Sequence, residues 1–399
     1  MIESLLLSLL QTTTRAVPPS TPGYAFVTTE FNTGNLSTWS EAGGNSGLAA
    51  GDAICRTEAT AANLPDPTNY VAFLSDSNND AYCRLHGLSG KKANNCGQAT
   101  LPTFAGPWIR PDGLPFATLA TLINDQAFIS PATISAANTH DASIMFSGTQ
   151  SGLIADPFTP APQCNNWTTS GNTSVAAFFG GTVSPFGSST GCSSDYSLMC
   201  MHAGANSSIS YALPSGRQAF VTSASGDGKL STWTEAGGNT GTAAGDKICQ
   251  SEAAANGLRA PSSFKAWLSD STGISPINAI DRYQNDGPWV RVDGLPIAAS
   301  KADLIAFTHL KSLPITIGAT LQNGSSTLTG THNNGAAGGA DRKGWTSALT
   351  TDSSIVGTAF DTGGWSENFN ESCDQVFRQL YCFSDLDRIF ENGVEGIPY

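Results

Sequence analysis

The chain has 399 residues and a net charge of −13, and only 13% of its residues are charged, about half the usual share. Its densest basic spot is Lys91-Lys92, which excludes a nucleic-acid surface, because phosphates require clustered Lys and Arg. Nowhere do about 18 apolar residues run together, so no transmembrane segment is expected.

Ile2-Glu-Ser-Leu-Leu-Leu-Ser-Leu-Leu10 opens the chain. It resembles the apolar core of a signal peptide, but it contains Glu3 and lacks a positive n-region. It reads either as the remnant of a leader cut short by a misplaced start or as a short amphipathic helix. Thr12 to Pro22 then reads as a Pro/Thr linker, so residues 1–22 are set apart as leader remnant and linker.

Ala25-Phe-Val-Thr-Thr is β-branched and apolar, and reads as a strand. Ala49 to Leu64 carries Ile54, Cys55, Ala59 and Ala62 at helical spacing, with Asp52 placed to cap the helix N-terminus. Val71-Ala-Phe-Leu reads as a short buried strand. Second helices are expected near Ala117–Asp125 and Ser300–Phe307. The intervening stretches are rich in Gly, Asn, Ser and Thr, and long irregular stretches of this kind persist when they are pinned or carry function.

Much of this recurs. Residues 26–64 and 220–258 share 24 of 39 positions at a constant offset of 194, too long for a solenoid period and the size of a domain. Tyr70-Val-Ala-Phe-Leu-Ser-Asp76 returns as Phe264-Lys-Ala-Trp-Leu-Ser-Asp270. Gly106-Pro-Trp-Ile-Arg-Pro-Asp-Gly-Leu-Pro115 returns as Gly287-Pro-Trp-Val-Arg-Val-Asp-Gly-Leu-Pro296 at an offset of 181, so copy one holds an insertion of 13 residues between Ser77 and Gly106. The expected layout is repeat one at 23–203, a linker at 204–217, repeat two at 218–385 and a C-terminal tail at 386–399.

The nine cysteines form no CxxC pair and have no His at zinc spacing, which favours disulfides over a zinc site. Cys55 and Cys200 sit near the two ends of repeat one, and Cys249 and Cys382 hold the same places in repeat two; both pairs are expected to bridge. Cys164 and Cys192 are expected to form an inner bridge, and Cys83 and Cys96 to pair within the insertion. Cys373 corresponds to Cys192, but Arg342 stands where Cys164 would be. Cys373 is therefore expected to be a free, partly exposed thiol, although a link between chains or a different pairing stays open. Such bridges imply an oxidising compartment.

Chemistry is harder to find. None of the five histidines recurs at an equivalent place, and no nucleophile motif is present, so no catalytic residue is assigned and an enzyme is the less favoured reading. The recurring acids Glu41/Glu235, Asp52/Asp246, Glu58/Glu252, Asp76/Asp270 and Asp112/Asp293 suit helix caps and turns. Asp76 and Asp112 would be the acids of a rival polysaccharide hydrolase. The loop Asp361-Thr-Gly-Gly-Trp-Ser-Glu-Asn-Phe369 offers Trp365 as an exposed ligand-facing aromatic. Trp365, Asn368, Asp270 and Asp76 are the candidate ligand-binding residues.

The sequence Gly245-Asp-Lys-Ile-Cys249, Ala266-Trp-Leu-Ser-Asp270, Thr329-Gly-Thr331, Gly344-Trp-Thr346 and Leu380-Tyr-Cys-Phe383 resembles a bacterial family of unknown function related to the endostatin domain. The resemblance spans both repeats. It implies an α+β fold, two tandem C-type-lectin-like domains, and an outer cystine enclosing an inner one. The Glu-Pro-Asn, Gln-Pro-Asp and Trp-Asn-Asp tripeptides of calcium-dependent sugar sites are absent, so no cofactor is indicated and calcium stays open. The expected function is an exported, adhesin-like binding protein for an extracellular glycan or matrix protein, located in the periplasm, at the bacterial cell surface or secreted; a structural surface component is a further alternative.

Overall fold

A computed structural model describes residues 23–386, except 142, 156–161, 172–173, 181–183, 185, 188, 208–213, 307–309, 311, 313–314, 319–325 and 360. The leader remnant, the central part of the linker and the tail from residue 387 lie outside the described residues.

Each copy builds one mixed sheet. Copy one contributes β1 (Gly23–Val27), β2 (Tyr70–Ala72), β3 (Trp108–Ile109), β4 (Pro115–Ala117), β5 (Ile144–Phe146), β6 (Thr149–Gln150), β7 (Ile154–Ala155), β8 (Ser174–Phe179), β9 (Ser189–Gly191) and β10 (Ser197–His202). The order is β4-β3-β1-β10-β5-β8-β9, with β2 also on β10 and β6-β7 a separate ribbon. Copy two contributes β11 (Arg217–Val221), β12 (Phe264–Ala266), β13 (Trp289–Arg291), β14 (Pro296–Ala298), β15 (Ser326–Leu328), β16 (Ser353–Thr358), β17 (Phe369–Ser372) and β18 (Gln379–Ser384). These repeat the order as β14-β13-β11-β18-β15-β16-β17, with β12 on β18.

The terminal strand of each copy is central. β10 runs antiparallel to β1 and β2 and parallel to β5. Side chains alternate across a strand, and both faces of β10 are covered. Leu198 and Cys200 point to the helix side, whereas Met199 and Met201 point to a second core. In β18, Leu380 and Cys382 face the helix, and Tyr381 and Phe383 face the other side. A strand buried on both faces reads as a continuous apolar run, as Leu198-Met-Cys-Met201 and Leu380-Tyr-Cys-Phe383 do.

The helices Gly47–Ala61 and Gly241–Ala255 cover the sheets. Leu48, Ile54, Cys55 and Ala59 form the buried stripe of the first, at the spacing an amphipathic helix requires. Gly51 and Gly245 are needed where helix meets strand: a Cβ at Gly245 would lie 2.5 Å from Leu268 Cδ1, and one at Gly51 would lie 3.1 Å from the Cβ of Ala72. The second helix of copy two, Lys301–Ile305, is capped by Ser300, whose hydroxyl accepts from the Asp303 amide. Its counterpart in copy one is a π turn at Thr121–Asp125.

Four disulfides hold this frame: Cys55–Cys200, Cys83–Cys96, Cys164–Cys192 and Cys249–Cys382. The Cys83–Cys96 bridge ties the insertion of copy one, beside the short helix Ala81–Leu85. Among the described residues no helix is long and apolar enough to cross a membrane.

A left-handed turn follows β7 in copy one. Gln163, Cys164, Asn165, Asn166 and Trp167 all have φ between 51° and 65°, and none is glycine. Copy two repeats the turn with Arg342, Lys343, Gly344 and Trp345. L-residues avoid this region by about 1–2 kcal/mol each. The surroundings hold both turns: Trp167 Nε1 donates to Ser75 O at 2.9 Å, and Trp345 Nε1 donates to Ser269 O at 2.8 Å.

Candidate functional site

The recurring acids are spread out, and Asp52/Asp246, Glu58/Glu252, Asp76/Asp270 and Asp112/Asp293 are each engaged, whereas one carboxylate oxygen of Glu41 is buried without a partner. Asp52 lies six residues into its helix, so it does not cap the N-terminus as the sequence suggested; Ser46 occupies that place. Asp52 instead reaches out of the helix, accepting from the Ala72 amide at 3.0 Å and from Arg84. Asp246 does the same with the Ala266 amide and Arg282. Each aspartate therefore fastens the helix to the neighbouring strand. Glu58 accepts from the Thr29 and Glu30 amides at 2.7 and 3.2 Å, and Glu252 from the amides of Ser223 and Ala224. These glutamates hold the loop that leaves the first strand. Asp112 and Asp293 are two-pronged partners of the buried Arg110 and Arg291 in Arg-x-Asp-Gly turns.

The four expected ligand-binding residues do not converge. Asp76 is buried, and its carboxylate accepts from the Asn78 and Asn79 amides at 2.8 and 2.6 Å. Asp270 accepts from the Thr272 amide and hydroxyl. Asn368 is exposed, with its amide bound to Val356 O.

Trp365 corrects the sequence expectation of an exposed ring: it is 0% exposed. Its ring packs 5.0 Å from Trp267 and 5.4 Å from Tyr381. The register explains why. Met145 pairs with Phe178 in copy one, whereas Thr327 pairs with Gly357 in copy two. Phe178 packs on Phe73 in copy one. At Gly357 there is no side chain to fill that volume, and a Cβ would lie 1.8 Å from Trp365 O. The loop closes over the glycine, and the Trp365 indole fills the core.

Cys373 is a second correction, because it is fully buried rather than partly exposed. Burial pushes its thiol up to about 11, which keeps it protonated and unreactive at neutral pH. Its carbonyl accepts from Arg342 at 2.8 Å, and Arg342 also donates to Ser354 Oγ at 2.7 Å. The buried guanidinium thus occupies the place where copy one has a cystine. A glycine makes room in each case: a Cβ on Gly34 would meet Cys164 Sγ, and one on Gly228 would meet Arg342 Cδ.

The loops leaving the first strands present the open polar surface. In copy two, Asp227, Thr232, Trp233 and Glu235 line a shallow cleft of about 410 Å³ with Val376. Val376 and Phe377 are 50% and 77% exposed. Trp233 Nε1 is tied back to Asp227 O at 3.1 Å, as Trp39 Nε1 is to Thr33 O at 2.9 Å. In copy one the same loop exposes Phe31, 63% accessible, and carries Glu30 beside Glu41 and Glu58.

That cluster sets a pH response. Burial, then the charges of Glu58 and Glu30, raises the Glu41 carboxyl from 4.5 to about 7, and burial first also raises Glu58. At the matching positions copy two has Ala224 for Glu30 and Lys247 for Ala53. The folded state holds the Glu41 proton more tightly than the unfolded chain does. This contribution to stability is full below about pH 4.5 and is lost as the pH rises through about 7. The melting temperature should therefore fall over that window, by the equivalent of about 1–2 kcal/mol once screening of this half-exposed group is allowed for. Glu41→Gln should flatten the slope; an unchanged slope in calorimetric scans at stepped pH would contradict the assignment.

A larger cavity, of about 680 Å³, lies between the copies, with Leu114 and Ile134 on one side and Val290 and Leu310 on the other. Beside it Arg291 reaches out of its own copy to donate to Ile129 O at 2.6 Å. Arg110, its counterpart, turns inward to Pro131 O.

No family model matches this chain, and none of the curated proteins matches it. Among the described residues no three His, Cys, Asp or Glu side chains gather as a metal-ligand set.

Proposed function

We propose that the chain is an exported binding protein, built from two C-type-lectin-like domains of the endostatin-related kind. Its ligand would be an extracellular glycan or matrix protein, met by the loops that leave the first strand of each copy. The observation that carries this reading is the copy-two cleft, where Asp227, Thr232 and Glu235 stand beside Trp233 and the exposed Val376, with the 77% exposed Phe377 next in the chain. Carboxylates and hydroxyls next to an apolar wall suit a sugar, whose faces are apolar and whose edges carry hydroxyls. Four disulfides support an extracellular, periplasmic or surface location. Two copies on one chain would add avidity.

A hydrolase finds less support. Asp76 and Asp112 line different clefts. Asp52 and Asp76 share one, but Arg84 lines it too and holds Asp52. Glycoside hydrolysis needs two carboxyl groups flanking one bond.

A glycan and matrix-protein array, run with and without a chelator, tests the reading. Binding to at least one ligand class is expected, and Phe377→Ser should weaken it more than tenfold, as the loss of an exposed aromatic anchor does. No binding by the full chain, or binding indifferent to both Phe377→Ser and Phe31→Ser, would overturn the proposal.

A further inference from the structure

At one place in the fold the two copies keep the same chemistry with different residues. A bridge joins Asn32 to Tyr196 in copy one and Gly226 to Arg378 in copy two, so in both the loop after the first strand lies against the residues that lead into the last strand. The next facing positions are Asp227 and Phe377 in copy two, and Thr33 and Asp195 in copy one. Copy one carries its ring at Phe31, where copy two has Ser225. Phe31 is diagonal to Asp195 across the bridge, and diagonal neighbours lie about 7–8 Å apart. The acid and the ring have thus changed strands, and both remain. Phe31 is 63% and Phe377 77% exposed, and Asp195 is exposed as well. Single apolar residues on a surface need no explanation, but an exposed phenyl ring beside an acid at the same spot of two diverged copies does.

The charge at this spot is one-sided. Asp227 and Glu235 line the copy-two cleft, and no Lys or Arg does. Among the described residues no cation pairs with Asp227, Glu235 or Asp195. Arg378, in the bridge itself, is held on both prongs by Glu371. Asp227 accepts from the Lys229 amide at 2.9 Å, which leaves its charge unmatched. Val376, 50% exposed, adds an apolar wall. A neutral sugar would leave these charges uncompensated. A lysine or arginine would compensate them, with its cation on the carboxylates or over the phenyl face, and an apolar neighbour in the same ligand would cover Val376 and the ring.

We propose that this spot is a docking site, one in each copy, for a basic and apolar segment of an extracellular protein: a Lys or Arg that meets Asp227 or Asp195, next to an aliphatic or aromatic side chain that meets the phenyl ring. Charge complementarity selects the cation, and the exposed rings select its neighbour. The inference rests on the loop-face reading above and chooses its protein ligand over its glycan. Exposed ion pairs are individually weak, so the two sites on one chain would act together.

The test is surface plasmon resonance on the immobilised full chain, where the saturating signal counts the equivalents bound. Three octapeptides share a Gly/Ser frame and carry Lys-Leu-Arg-Phe, Glu-Leu-Glu-Phe or Lys-Ser-Arg-Ser at the centre. The first should bind at two equivalents per chain, at least tenfold more tightly than either of the others, and its affinity should fall with added salt. Phe377→Ser with Glu235→Gln should remove one equivalent, and Phe31→Ser with Asp195→Asn the other, with unchanged melting temperatures to show that the fold is kept. No binding of the first peptide, equal binding of the acidic or the polar one, or equivalents untouched by both double variants would overturn the proposal. If glycans on the array bind in a Phe377-dependent way and the peptides do not, this inference fails and the broader reading stands. If the first peptide binds as expected but no glycan or matrix protein does, the docking site stands and the choice of extracellular ligand fails.

Discussion

Replacing Cys249 and Cys382 together by Ala is expected to cost copy two about 4–5 kcal/mol. The bridge joins residues 133 apart in sequence, and removing so long a closure restores that much conformational freedom to the unfolded chain in the chain-entropy account. Domains are commonly stable by only about 5–15 kcal/mol, so the loss takes copy two close to its limit. Both sulfurs lie at the centre of the helix-side core, with Phe220, Leu268 and Leu380 in the same cluster. The Ala pair removes packing as well, and reduction of the wild-type protein separates the two contributions. Denaturant titration is the measurement. A fall of less than about 1 kcal/mol would mean that the bridge does not organise the copy.

Arg342→Cys is expected to create a fifth disulfide, to Cys373. The two positions are 31 residues apart, and closing that loop is worth roughly 3 kcal/mol if unstrained. Copy one supplies the precedent, since Cys164–Cys192 occupies the same turn and sits beneath the equivalent glycine. The control is Arg342→Ala. Arg342 is 0% exposed and is bound to Ser354 Oγ and Cys373 O, with Glu371 at 3.9 Å. Removing it leaves those buried acceptors unmatched, at about 3 kcal/mol or more. The Cys variant should thus melt above the Ala variant and show no thiol after unfolding under non-reducing conditions. One titratable thiol, with no gain over Ala, would show that positions 342 and 373 do not face each other.

The internal repeat made the layout legible before any coordinates. Trp39/Trp233 and Cys55/Cys249 recur at one offset, and Cys200/Cys382 close the two copies in the same order, which implies like scaffolds, and the two sheets have the same strand order. The features that escaped the sequence depend on register and on contacts between distant segments. Trp365 sits in a Gly-rich loop, which suggests exposure; only the pairing of Thr327 with Gly357 reveals the volume it fills. Asp52 follows a glycine near the start of an apolar stripe, which suggests a cap, but the helix begins earlier at Gly47.

The left-handed turns have a kinetic consequence. Five successive non-glycine residues at positive φ cannot nucleate by themselves, because each step along the turn is uphill. The turn at 163–167 gains its support from the Ser75 carbonyl and the Cys192 sulfur, both remote in sequence, and it can close only after the sheet that presents them has assembled. Such late contacts barely affect the rate of folding and act instead on the rate of unfolding. The tryptophan turn at 163–167 is therefore expected to act as a latch, setting how long the native state persists rather than how quickly it is reached.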